Sequence, residues 1–252
     1  MYHRPRTGSL PMNYKLWDNA INPIGIVQII HNRNKTPGHY DNIAQFLNKN
    51  RFLVWADELY QNQDESIVFN QTLGMELKTL MWLKEHFDLP VFVIGDGYGS
   101  YITQKLIQDC KLCSAGVCMA GGGRHNKLTL MFAMVLSWMG KKLFGKQACP
   151  TFTNRHKCRT YDYWFNLFKN LQTIRYDILP NIPLLIISGE QNLNNMNGRL
   201  ARALYNAYSK HDLHNLVLII YPDAEKDLLM MADRSDVQQD ILDFITTQNI
   251  SK

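Results

Sequence analysis

The stretch LPVFVIGDGYGSYITQKLI, Leu89 to Ile107, runs from a turn through an apolar strand into Gly95-Asp96-Gly97-Tyr98-Gly99 and then a helix. A sharp strand-to-helix turn flanked by glycines is how a nucleophile is held in a strained, exposed position. Its centre here is Gly97, which has no side chain to attack with. Three readings stand: a catalytic turn that has lost its nucleophile, a glycine-rich loop for another ligand, or a tight turn. Neighbouring groups offer acid-base chemistry. Asp96 precedes the centre, and His31 and His125 fall near the ends of other apolar runs. An Asp96/His31 pair acting on a bound ester or water is one use; turn-forming and capping are the ordinary roles of such residues. Ser100 lies three residues past the centre, on the first turn of the helix, so its hydroxyl is expected to point away from the site.

Other glycine and cysteine patterns are weaker. Gly95-x-Gly97-x-x-Ser100 loosely matches a dinucleotide fingerprint, but that motif follows the first strand of a sheet and needs an acidic residue at the end of the next. This one follows at least the third strand, and AGVCMAGGG supplies no acid. Ala120-Gly-Gly-Gly-Arg124 could hold an anion through amides, yet a turn needs no ligand. Cys110-Lys-Leu-Cys113 has no second Cys or His pair, so neither a metal nor a cofactor is expected.

These residues are positioned by six short apolar runs that read as buried strands: Gly25-Ile30, Phe52-Ala56, Val91-Ile94, Ala115-Met119, Pro183-Ser188 and Leu216-Tyr221. Between them lie helical spacings at Tyr40-Asn50, Leu73-Phe87, Gly99-Cys110, Leu200-Lys210 and Val237-Thr247. Continuous apolar strands alternating with amphipathic helices predict an α/β class protein, its mostly parallel sheet covered on both faces. The alternation breaks at about 124–179, where two helix-like, aromatic-rich stretches occur without a strand. This interval is expected to form a short helical cap over the strand ends, inserted in a single domain spanning 1–252.

The composition bounds the function. At 252 residues and 46% hydrophobic content the chain can bury a full core. The formal charge of +5 comes from scattered Lys and Arg without a long basic run, so no nucleic-acid partner is expected, while contact with an anionic membrane surface is permitted. Five cysteines and no apolar leader in MYHRPRTGSLPMNYKLW predict a cytoplasmic protein with reduced thiols. The most apolar segment, Leu128 to Gly140, is too short to span a bilayer and reads as a buried or interfacial helix.

Several segments together resemble the α/β-hydrolase family, in particular its lysophospholipase and monoacylglycerol lipase-like branch, which also contains serine aminopeptidases. NPIGIVQIIHN (Asn22-Asn32) is similar to the strand leading into that branch's His-Gly oxyanion segment. HYDNIAQFLNKNRFLVWADE (His39-Glu58) resembles the next helix and strand, DLPVFVIGDGYGS the elbow, and RTYDYW (Arg159-Trp164) a cap motif. IPLLIISGEQN and NLVLIIYPDAEKDLL resemble the last two strands, whose ends deliver the acid and the histidine.

The resemblance implies a serine triad, and this sequence departs from it at each member. The serine falls on Gly97, the acid on Asn192 and the histidine on Lys226. A protonated amine is a poor general base, and a triad acts as a unit. The oxyanion His-Gly appears as His31-Asn32, with Tyr98 after the elbow centre. The implied protein is a catalytically inactive relative of lysophospholipases, binding a lipid-like or acyl ligand or a protein partner. Cap aromatics Trp138, Tyr163, Trp164 and Phe168 are the expected contacts. The alternative is an atypical carboxylic ester hydrolase acting on monoacylglycerol or lysophospholipid.

Overall fold

Strands β2 (Gly25–Ile30), β3 (Phe52–Asp57), β4 (Val91–Asp96) and β6 (Leu184–Gly189) are buried at every residue, as is β5 (Ala115–Met119). Both of their faces are covered, which is why they read as unbroken apolar runs. The computed structural model describes residues 13–33, 35–59, 69–110, 112–120, 127–144, 161–176, 182–191, 198–210, 216–222, 224, 228–229 and 235–250, without the side chains of 144, 161–164, 249 and 250.

Among the described residues there is one seven-stranded sheet, ordered β1-β3-β2-β4-β5-β6-β7. From β3 to β7 (Leu216–Tyr221) all neighbours are parallel, and β1 (Tyr14–Trp17) joins the edge antiparallel to β3. Period-two alternation splits the core. Val27, Ile29, Phe92, Ile94, Leu185 and Ile187 face α1 (Asp41–Lys49) and α7 (Ser235–Ile250). Ile26, Val91, Val93, Cys118 and Ile186 face α2 (Phe69–His86), α3 (Tyr98–Asp109) and α6 (Arg199–Ser209). Successive side chains on opposite faces make this division automatic.

Between β5 and β6 stand α4 (Lys127–Phe144) and α5 (Tyr161–Leu171), within the interval read as a cap. They share a small core of their own, in which Leu130, Leu171 and Ile174 are buried and Phe168 packs beside them. The strand absent from the sequence reading is β1. It is four residues long with only Trp17 buried, too short and too wet for an apolar run. Tertiary contacts hold it: the Tyr14 ring stacks on Trp55 with centroids 4.0 Å apart, and Trp17 Nε1 and Lys15 Nζ both donate to Asp41.

Candidate active site at the strand ends

The elbow is built by close backbone approach. A Cβ on Gly99 would lie 1.9 Å from the Ile30 carbonyl oxygen, and one on Gly95 would lie 2.4 Å from the Gly99 oxygen. Only glycine lets α3 start this tightly against β2 and β4. Between them Gly97 takes φ 54° and ψ −109°, a conformation that a residue with a Cβ adopts only under strain. Its amide donates to Met119 O at 2.9 Å, which ties the turn to β5.

Beside Gly97 stands a side chain from the loop that follows β2. A Cβ built on Gly97 would meet the Asn32 carboxamide, 2.4 Å from Nδ2 and 2.7 Å from Cγ. Asn32 follows β2, where the resembled family has a glycine. The Asn32 carboxamide thus lies in the space where a Cβ on Gly97 would stand.

The charged group of the site is Asp96, buried under the elbow. Tyr40 OH donates to its carboxylate at 2.7 Å, and Lys35 Nζ pairs with it at 3.1 Å. The Tyr40 hydroxyl in turn accepts the Asn32 amide at 3.1 Å, and the Lys35 amide donates to Asn32 O at 2.9 Å. Asn32, Lys35, Tyr40 and Asp96 thus form one hydrogen-bonded network. Neither Lys35 nor Tyr40 carried a recognisable signal in the sequence, since one lies in a polar loop and the other in an amphipathic helix start.

His31 is buried at the end of β2. Its Nδ1 lies 2.9 Å from Asn32 O, and its Nε2 accepts the Leu59 amide at 3.3 Å, which assigns the neutral Nδ1–H tautomer. Burial lowers its pKa below 6.5, partly offset by backbone hydrogen bonds. Its accepting lone pair is directed at a backbone amide, and Asp96 is held by Lys35 and Tyr40, so each member of the expected acid-base pair already serves another partner. Ser100 is buried; its hydroxyl lies 2.7 Å from both Gly95 O and Met119 O and accepts the Met119 amide at 2.9 Å. It pins α3 to β4 and β5.

A second buried polar group lies on the α2 face. Asp57 accepts from Trp55 Nε1 and Thr79 Oγ1, and Glu76 accepts from Gln28 Nε2. Glu76 Oε1 and Gln28 Oε1 have no hydrogen-bond partner among the described residues. Desolvation, with the Asp57 charge second, raises the Glu76 carboxyl well above its ordinary range; desolvation raises Asp57 too, against the bonds from Thr79 and Trp55. No cluster of three or more His, Cys, Asp or Glu suited to a metal occurs among the described residues.

The remaining expected positions divide. Asn192, Lys226 and His125 lie outside the described residues. Nearby, the Gln191 amide donates to Ala224 O at 3.0 Å, so the chain leaving β6 meets the chain leaving β7. Tyr98 is buried at the start of α3, Phe168 is half-buried in the α4-α5 core, and Trp138 is exposed on α4. Tyr163 and Trp164 lie in the first turn of α5, and their side chains are outside the described set.

Neither a protein-family model nor a curated protein matches the chain. Solved structures do. A highly thermostable carboxyl esterase from Bacillus coagulans superposes with a TM-score of 0.75 at 16% identity, covering 94% of each chain. The chain has the α/β-hydrolase fold. A monoacylglycerol lipase from Paleococcus ferrophilus matches at TM-score 0.73 and 12% identity, over 94% of this chain and all of that one. A soluble variant of monoglyceride lipase from Saccharomyces cerevisiae matches at 0.65 and 12%, over 92% and 91%. At such identities the likeness concerns the α/β-hydrolase fold alone.

Proposed function

We propose that this α/β-hydrolase-fold protein binds a lipid-like or acyl ligand at its strand ends without hydrolysing it. The observation that carries the reading is the elbow itself: Gly97 offers no nucleophile, and the Asn32 carboxamide stands where one would begin. The buried network around Asp96 supports it, because Lys35 and Tyr40 hold that carboxylate as a structural anion. The cap over the crevice, within 124–179 of a single domain, belongs to the same proposal. Purified protein should leave aryl esters and monoacylglycerol intact and remain unlabelled by a fluorophosphonate probe, while a fluorescent fatty-acid analogue binds.

A second reading, a carboxylic ester hydrolase of serine-independent chemistry, is favoured by the esterases and lipases among the structural neighbours. It would use Asp96 or His31 on a bound water or ester. Turnover that disappears in Asp96→Ala or His31→Ala would establish it and overturn the first. Restoring the triad with Gly97→Ser, Asn192→Asp and Lys226→His should return probe labelling only when Asn32→Gly is added to clear the space. A folded quadruple variant that stays unlabelled would refute the assignment of those positions.

A further inference from the structure

We propose that α4 is a docking helix that lays the cap on an anionic phospholipid surface. Its amphipathicity is reversed relative to what folding requires. Its fully buried residues are Leu130, Ser137 and Gly140, with Ala133 and Met134 half-buried, and Leu130 packs in the core shared with α5. The water-facing side carries the large apolar groups: Leu128 is 73% exposed, Phe132 65% and Leu143 70%, with Met131, Val135 and Leu136 each at least half exposed. At 3.6 residues per turn these positions form one arc of roughly 140° along the whole helix. Such a continuous apolar face on a single helix marks an interaction surface.

The charge pattern selects the occupant. Residues 110–161 contain nine Lys or Arg and no Asp or Glu, whereas the rest of the chain carries 18 basic against 22 acidic side chains. Lys127 opens α4 and Lys141 and Lys142 close it, so cations bracket the apolar arc. Lys142 Nζ lies 4.2 Å over the ring of the exposed Trp138, an aromatic and an ammonium presented together at one end of the arc. An apolar face bordered by cations, with an amphipathic aromatic at its edge, complements an acyl boundary beneath anionic headgroups. No described helix is long and apolar enough to cross a membrane, so α4 lies along the surface. A protein groove would bury the same arc without requiring this segregation of charge. The inference stands whether or not the elbow performs chemistry.

The test is co-sedimentation of the full chain with vesicles of phosphatidylcholine alone and of phosphatidylcholine carrying phosphatidylserine. Binding to the mixed vesicles is expected, weaker on the neutral ones and reduced by added salt. Phe132→Glu with Leu136→Glu should abolish it without changing the melting temperature, since both side chains are exposed. Lys141→Glu with Lys142→Glu should weaken partition onto the anionic vesicles by about tenfold or more. Three results would overturn the proposal: a folded protein that partitions onto neither vesicle, a Phe132→Glu, Leu136→Glu variant that partitions normally, or self-association abolished by that variant without vesicle binding. The last would place a second copy on the face.

Discussion

The elbow and helix α4 use their side chains in opposite ways. At the elbow the chain packs on itself: Gly99 abuts the Ile30 carbonyl, Asn32 stands beside Gly97, and the Ser100 hydroxyl is shared among three backbone groups. On α4 the largest apolar groups point away from the protein and rest on a core of a few residues. Close packing makes the first region intolerant of a single added carbon, while the second loses nothing in stability when its outer face changes. The contrast separates residues retained for the fold from residues available for an external partner.

Substitutions should reproduce that contrast. The largest effect is expected from Gly99→Ala, where the new Cβ would overlap the Ile30 carbonyl. A loss of about 3 kcal/mol or more, or failure to fold, is expected in denaturant titration. A Gly99→Ala protein as stable as the parent would mean that α3 can slide away from β2. Next, Gly97→Ser should cost about 1–3 kcal/mol from its positive φ, with overlap on Asn32 in addition. Adding Asn32→Gly should recover the overlap part alone; no recovery would show that the carboxamide is not what fills the elbow.

Glu76 gives an effect of opposite sign. Its raised carboxyl keeps a proton that the unfolded chain releases near 4.5, so stability is greatest below that pH and falls as pH rises toward the folded-state value. Glu76→Gln keeps an acceptor for Gln28 and removes the liability, so its melting temperature at neutral pH should exceed the parent's and vary less with pH. His31 runs the other way. Held neutral with its pKa below 6.5, it makes the unfolded chain take up a proton first on acidification. Stability should therefore decline as pH drops below 6.5, and His31→Gln should remove that part of the slope. The smallest effect is expected on the cap: Leu128→Ser should change stability by less than about 0.5 kcal/mol. A larger loss would show that the face is covered from within the chain.

Most of the fold was legible because strand burial and helix spacing are local patterns. All six apolar runs became strands, with β3 and β4 extended by one and two residues to Asp57 and Asp96, and β6 shifted by one, from Pro183-Ser188 to Leu184–Gly189. Those added residues are polar or small and join the sheet through backbone pairing, which apolar content does not register. Strand β1 was missed for a related reason, since its place depends on Trp55 and Asp41, far away in sequence. Of the residues expected at the site, Gly97, Tyr98, His31, Asn32 and Asp96 lie at or next to the ends of β2 and β4.

By itself the sequence determined the alternation of strands and helices, the glycine-flanked turn after β4 and the absence of a hydroxyl at its centre, because each depends on residues within a few positions of one another. Only the tertiary structure decided that Asn32 fills the place beside Gly97, that Lys35 and Tyr40 hold Asp96, and that Glu76 is buried against Gln28, 48 residues away. It also decided which side of α4 is open. Helical spacing shows that a helix has faces; which face meets water depends on where its neighbour packs, and here α5 took the side with the smaller groups.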